Sequence, residues 1–221
     1  MTFKAIIFDF DGVITDTEPV HMQAWLDVFR PLGISFGKEE YDANYLGFND
    51  RDFLDAVGRI HNRSFSADEK SILIPKKLKQ SIGLLNKGIP VLPGVEEFIE
   101  LTSKKFLLAI CSGAMKEEVQ FILKKLGWTK LFDPIITQED VALGKPDPEG
   151  YRLTLKKLVE RLSSHELSAE NCLAIEDSPK GIAAAHAAGM SCLAISNSYP
   201  PDALDDAEWV VGSLEEFEML F

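Results

Sequence analysis

Six short runs of consecutive apolar residues constrain this chain more than any other feature: KAIIFDF (4–10), FLLAICS (106–112), DPIITQE (133–139), CLAIEDS (172–178), SCLAISN (191–197) and WVVGS (209–213). They are continuous rather than alternating, as strands covered on both faces require. Helical patterns lie between them. Val119, Ile122, Leu123 and Leu126 recur at helical spacing and Gly127 follows as a stop; Tyr151, Leu155, Leu158, Val159 and Leu162 repeat the pattern. The alanine-rich segment PKGIAAAHAAGM closes at Gly189 before the next strand. Strand alternating with helix predicts an α/β fold, a parallel sheet with helices on both sides.

One region breaks the rhythm. Between Thr17 and Lys87 the patterns are helical throughout. Residues 18–32 place His21, Trp25, Val28, Phe29 and Leu32 on one face. Residues 49–61 and 66–86 continue helically, the latter opening with Ser66 and Glu69 as a capping box, while Pro75 is expected to kink or split it. NKGIPVLPGV then leads back to the alternating pattern. The organisation expected is a Rossmann-like α/β core of residues 1–15 and 88–221 carrying the active site, with a small all-helical cap domain, 16–87, inserted after the first strand.

Composition bounds the function. A formal charge of −12 and a pI near 4.8 supply no basic stripe for nucleic acid and no polybasic membrane contact. Cys111, Cys172 and Cys192 lie in apolar stretches without metal-type spacing and read as buried thiols in a reducing compartment. The opening MTFKAIIFDFDG is too short an apolar run for a signal peptide, and no stretch approaches the roughly 20 apolar residues of a bilayer span. A cytoplasmic monomer is expected.

The polar residues collect where the strands end. Strand one finishes in Asp9 and Asp11, strand two in Ser112-Gly113, strand four in Glu176-Asp177-Ser178, and Lys145 follows strand three in GKPDP. Any one of these could be turn or helix-cap chemistry. Together they occupy one rim of one sheet, where parallel α/β folds bind ligands. Carboxylates so close repel unless a cation sits among them, and Mg²⁺ is the ion such oxygen donors suit.

DFDGVITDTE, CSG, GKPDP and IEDSPKG, in that order, resemble the four-motif signature of the haloacid dehalogenase superfamily, in its phosphatase and phosphomutase branch. The resemblance covers essentially the whole chain. It implies Asp9 as a nucleophile that becomes an aspartyl phosphate, and Asp11 as general acid, then base. Ser112 and the Gly113 amide would grip the phosphoryl oxygens, with Lys145 neutralising their charge. Mg²⁺ would be held by Asp9, the Asp11 carbonyl and Asp177, with Glu176 contributing directly or through water. True dehalogenases lack the second aspartate, so carbon–halogen cleavage is disfavoured. The implied partner is a small-molecule phosphate ester.

Substrate choice falls to the cap. Thr17 is a hydrogen-bond partner tuning Asp11, a plain N-cap or both, and His21 either a structural histidine or, as in the β-phosphoglucomutases this stretch resembles, a link between cap closure and the general acid. Those mutases carry a cap arginine for a second phosphate. In LGFNDRDF that position falls on Asp50, with Arg51 one residue later, rotated about 100° on a helix and within i+4 of Asp55. Lys76, Lys77 and Lys79 read as a solvated face, or as contacts for an anionic substrate. The reading is a phosphatase for a sugar phosphate or phosphoglycolate type of metabolite; the alternatives are a β-phosphoglucomutase-like mutase and a binding module that has lost turnover.

Overall fold

A computed structural model describes residues 3–162 and 167–216. The chain divides into two compact units, Met1–Asp16 with Pro90–Phe221, and Thr17–Ile89.

The smaller unit is helical: α1 (Glu18–Phe29), α2 (Lys38–Asn44), α3 (Asp50–Ile60) and α4 (Ala67–Leu85). Its core is aromatic, built from Trp25, Phe29, Phe36, Tyr41, Tyr45, Phe53 and Phe65, with Trp25 stacked on Phe53 at 4.8 Å. The expected first helix is shorter than its apolar pattern. It ends at Phe29 and passes into a 3-10 turn, Arg30–Leu32, because Pro31 has no N–H to continue the ladder. Leu32 is correspondingly exposed. Asn49 caps α3 by accepting the N–H groups of Arg51 and Asp52, both at 3.0 Å. Ser66 and Glu69 form the capping box of α4. Pro75 does not split that helix. One missing hydrogen bond is outweighed by the burial of Leu73, Leu78 and Leu85 on both sides of it.

The larger unit is one all-parallel sheet of β1 (Ala5–Phe8), β2 (Leu107–Cys111), β3 (Ile135–Ile136), β4 (Cys172–Glu176), β5 (Ser191–Ile195) and β6 (Trp209–Val211), in the order β3-β2-β1-β4-β5-β6. Each strand is shorter than its apolar run, since the polar ends leave the ladder. Between them run α5 (Val95–Thr102), α6 (Lys116–Leu126), α7 (Glu149–Leu162) and α8 (Pro179–Ala187). The core under α7 and α8 is built largely from small residues, among them Ala5, Ala109, Cys172, Ala174, Ala184, Cys192 and Ala194, which let helix and sheet approach closely. All three cysteines are free and buried. The chain proceeds outward from β1 through β2 and β3, then returns to the other side of β1 for β4. Strand order therefore reverses between β1 and β4, and a crevice opens at their carboxyl ends. Phe8 pairs with both Ile110 and Ile175, so β1, β2 and β4 end level at that crevice. Among the described residues no helix is long and apolar enough to cross a membrane.

Candidate active site

Asp9 is the first residue beyond β1, held by its N–H to the Ile175 carbonyl at 2.9 Å. Phe10 is wholly buried, and Asp11 opens a tight loop in which the Gly12 N–H reaches the Thr15 carbonyl at 2.7 Å. Both acids thus sit in the loop past the strand rather than on it. Gly12 has φ +80°, and a Cβ there would collide with the Asp177 carboxylate. Only glycine meets both demands.

Lys145 crosses 136 residues of sequence to place its Nζ 2.7 Å from Asp9 Oδ1. The same ammonium lies 2.6 Å from Glu176 Oε1. Asp9, Glu176 and Asp177 each bring a carboxylate oxygen within 4.8 Å of the others. Their side chains are shielded: Asp9 is 13% exposed, Lys145 18% and Glu176 0%. Two further hydroxyls enter the cluster. Tyr151 donates to Glu176 Oε1 at 2.6 Å, and Ser198 donates to Asp177.

Charge is out of balance here, with three carboxylates facing one ammonium. Burial pushes Glu176 up to about 7 despite the attraction of Lys145. Burial, then the charges of Asp9 and Glu176, drive Asp177 well above the usual carboxylate range. Burial opposes a charged Lys145, but Asp9 and Glu176 outweigh it and hold the proton on. Burial lifts the Cys111 thiol to about 12, which leaves it inert as a nucleophile. Hard oxygen donors that are buried, clustered and short of positive charge fit a small divalent cation.

Ser112 follows β2, is buried, and accepts the Ala114 N–H at 2.9 Å, which leaves its own O–H to donate elsewhere. Gly113, next along, is exposed. Thr17, His21 and Arg51 belong to the helical unit. Thr17 is fully buried at the N-cap of α1, though its hydroxyl makes no capping bond; its carbonyl accepts the His21 N–H at 2.9 Å. Arg51 is exposed, and Asp55, its expected partner, is instead 2.6 Å from Lys70. Lys76 and Lys79 are exposed as a solvated face would be, but Lys77 is not. Its side chain is 4% exposed and lies 3.0 Å from Asp50 Oδ1, itself 8% exposed.

A haloacid dehalogenase-like hydrolase profile matches residues 3–189. The chain belongs to that family. Within it, a phosphorylated carbohydrates phosphatase from Thermotoga maritima is 31% identical over 85% of this chain and 82% of its own length. A β-phosphoglucomutase from Bacillus subtilis is 29% identical over 89% and 85%. Among solved structures, a β-phosphoglucomutase from Clostridium difficile superposes with a TM-score of 0.84 at 27% identity, covering 98% of this chain and 94% of that one. For a haloacid dehalogenase-like hydrolase, Tyr151 and Ser198 are the site residues that sequence reasoning passed over. Tyr151 reads as one apolar member of a helical period, and nothing in that period reveals its hydroxyl. Ser198 was legible in principle, since it follows β5 on the rim where the other polar residues collect.

Proposed function

We propose that this hydrolase is a Mg²⁺-dependent phosphatase acting on a small phosphorylated metabolite of sugar phosphate or phosphoglycolate type, through a covalent aspartyl phosphate. The observation that carries the reading is the single ammonium of Lys145 between Asp9 and Glu176, with Asp177 in the same cluster. That arrangement leaves Asp9 fixed just past a strand end and beside the charge needed to admit an anion.

In this mechanism an Asp9 oxygen forms a bond to phosphorus while the bond from phosphorus to the ester oxygen breaks, and Asp11 gives its proton to the departing oxygen. Asp11 then takes a proton from water, the water oxygen bonds to phosphorus, and Asp9 is released with inorganic phosphate. Lys145 neutralises charge on the phosphoryl oxygens, and Ser112 with the Gly113 amide holds them. Mg²⁺, when bound by Asp9, Asp177 and the Asp11 carbonyl with Glu176 contributing, supplies electrostatic stabilisation of those oxygens.

Relatives named as phosphatase and as mutase both match, so the choice rests on the helical unit. A mutase must hold a second phosphate. The position of the mutases' cap arginine falls here on Asp50, with Arg51 one residue later, which favours a substrate with one phosphate. The test is purified protein with Mg²⁺ on a panel of phosphate esters, with glucose 1-phosphate isomerisation run alongside. Phosphate release supports the reading. Isomerisation that needs a bisphosphate primer replaces it with the mutase, and inactivity on the whole panel replaces it with the binding module.

A further inference from the structure

Tyr151 stands in the first turn of α7, fully buried, and touches two members of the charged cluster at once. Its hydroxyl donates to Glu176 Oε1 at 2.6 Å, the same oxygen that Lys145 Nζ approaches at 2.6 Å. Its ring lies under Lys145, with Nζ 5.4 Å from the centroid, within cation–π range. Glu176 has little room to turn. A Cβ on Gly181, in the first turn of α8, would overlap the Glu176 carboxylate, so that carboxylate rests against the helix backbone. Lys145 sits on a loop between β3 and α7, outside any helix or strand. A four-carbon side chain on such a loop needs fixing if its charge is to stay on Asp9.

We propose that Tyr151 is a positioning residue: its hydroxyl locks Glu176, and Glu176 in turn holds Lys145 against Asp9. The inference rests on the phosphatase reading. As plain core filler, Tyr151 would have no use for its oxygen, and phenylalanine would serve as well. As a positioning residue it acts only through Glu176, so its effect must vanish once Glu176 can no longer be held. Buried partners of this kind are worth about 10- to 100-fold in metal affinity or activity.

The experiment is a double-mutant cycle of Tyr151→Phe and Glu176→Gln, read by phosphate release and by Mg²⁺ titration calorimetry. Tyr151→Phe is expected to lower kcat about tenfold with KM within about twofold, and to weaken Mg²⁺ binding about tenfold. The double variant should be no worse than Glu176→Gln alone, the non-additivity of groups acting as one unit. Tyr151→Phe within twofold of the parent in both readouts overturns the proposal, and so do losses that multiply in the double variant. Should Tyr151→Phe not fold, Tyr151→Met removes the same hydroxyl, and Mg²⁺ binding and turnover within twofold of the parent there overturn the proposal. A parent protein with no turnover on any ester breaks the phosphatase reading instead, while calorimetry still reports on Tyr151.

Discussion

Each unit of this protein buries a lysine against an aspartate, and the two pairs are built to different ends. In the helical unit Lys77 lies 3.0 Å from Asp50, both side chains under a tenth exposed. In the α/β unit Lys145 meets Asp9 at 2.7 Å, but Glu176 and Asp177 crowd the same place. A balanced pair recovers in attraction part of what desolvation takes, and it has no need of a further ion. An unbalanced cluster pushes its own carboxyl groups upward, as Glu176 at about 7 records, and such perturbation marks places where chemistry is done. Geometry alone does not separate the two lysines. Their surplus of negative charge does.

The sharpest way to break this contrast is at the proposed nucleophile. Asp9→Asn keeps the shape of the cluster and removes the carboxylate that the proposed route needs, so phosphate release should fall by about 10⁴-fold or more. Rapid-quench mass spectrometry should then find no phosphorylated protein; a variant that retains a tenth of parent turnover rules out the covalent route. Chelation comes next. Stripping divalent ions should stop turnover and Mg²⁺ should restore it. At about 100 times its dissociation constant the ion should also stabilise the fold by about 2.7 kcal/mol. That stabilisation should survive Lys77→Met and be lost in Asp177→Asn, followed by thermal melting. A Mg²⁺ effect that depended on Lys77 would erase the distinction between the two sites.

The balanced pair should show itself in stability. Lys77→Met leaves the buried Asp50 carboxylate uncompensated and is expected to cost about 3 kcal/mol in urea unfolding. Adding Asp50→Leu should recover most of that loss, because two apolar groups replace a pair that gained little over them. A single-variant cost under about 1 kcal/mol would mean that the pair is not what holds these two charges in place.

How far the sequence revealed this depends on the kind of signal each residue carries. The sheet and its polar rim were legible because a buried parallel strand must be continuously apolar and its polar ends must lie at the crevice; Asp9, Lys145, Glu176 and Asp177 follow from that rule and the structure brings them together. The extent of regular structure was less so. Pro75 looked like a breaker, and tertiary burial around it overrode local preference. The helix α2 lies in a stretch that read as helical, but its bounds were not legible, since KEEYDAN buries only Tyr41 and shows no period. Lys77 read as solvated because nothing in the sequence pairs it with Asp50, 27 positions away; a buried ion pair is a property of packing, and periodicity reports only the apolar residues around it. The place of Thr17 at a helix start was legible, but not that its hydroxyl makes no capping bond there.

The smallest effect should come from a charge outside both lysine sites. Glu208 accepts the Cys192 N–H at 2.6 Å and lies 3.2 Å from His186. Partial burial would raise this carboxyl, but the Cys192 N–H and the His186 ring outweigh it and bring it below its ordinary value of 4.5. A folded value below the unfolded one means the folded state favours the ionised form. The contribution is therefore complete above about pH 4.5 and fades as the pH falls through the depressed folded value. Glu208 is exposed, so screening leaves it about 0.5 kcal/mol or less. Glu208→Gln should flatten the acid limb of the urea-midpoint profile slightly below pH 4.5 and leave it unchanged at pH 7 apart from that small offset. Steepening in acid would reverse the sign. A loss approaching that of Lys77→Met would mean that charge balance, the property separating the two buried lysines, is not what ranks the ionic contacts of this protein.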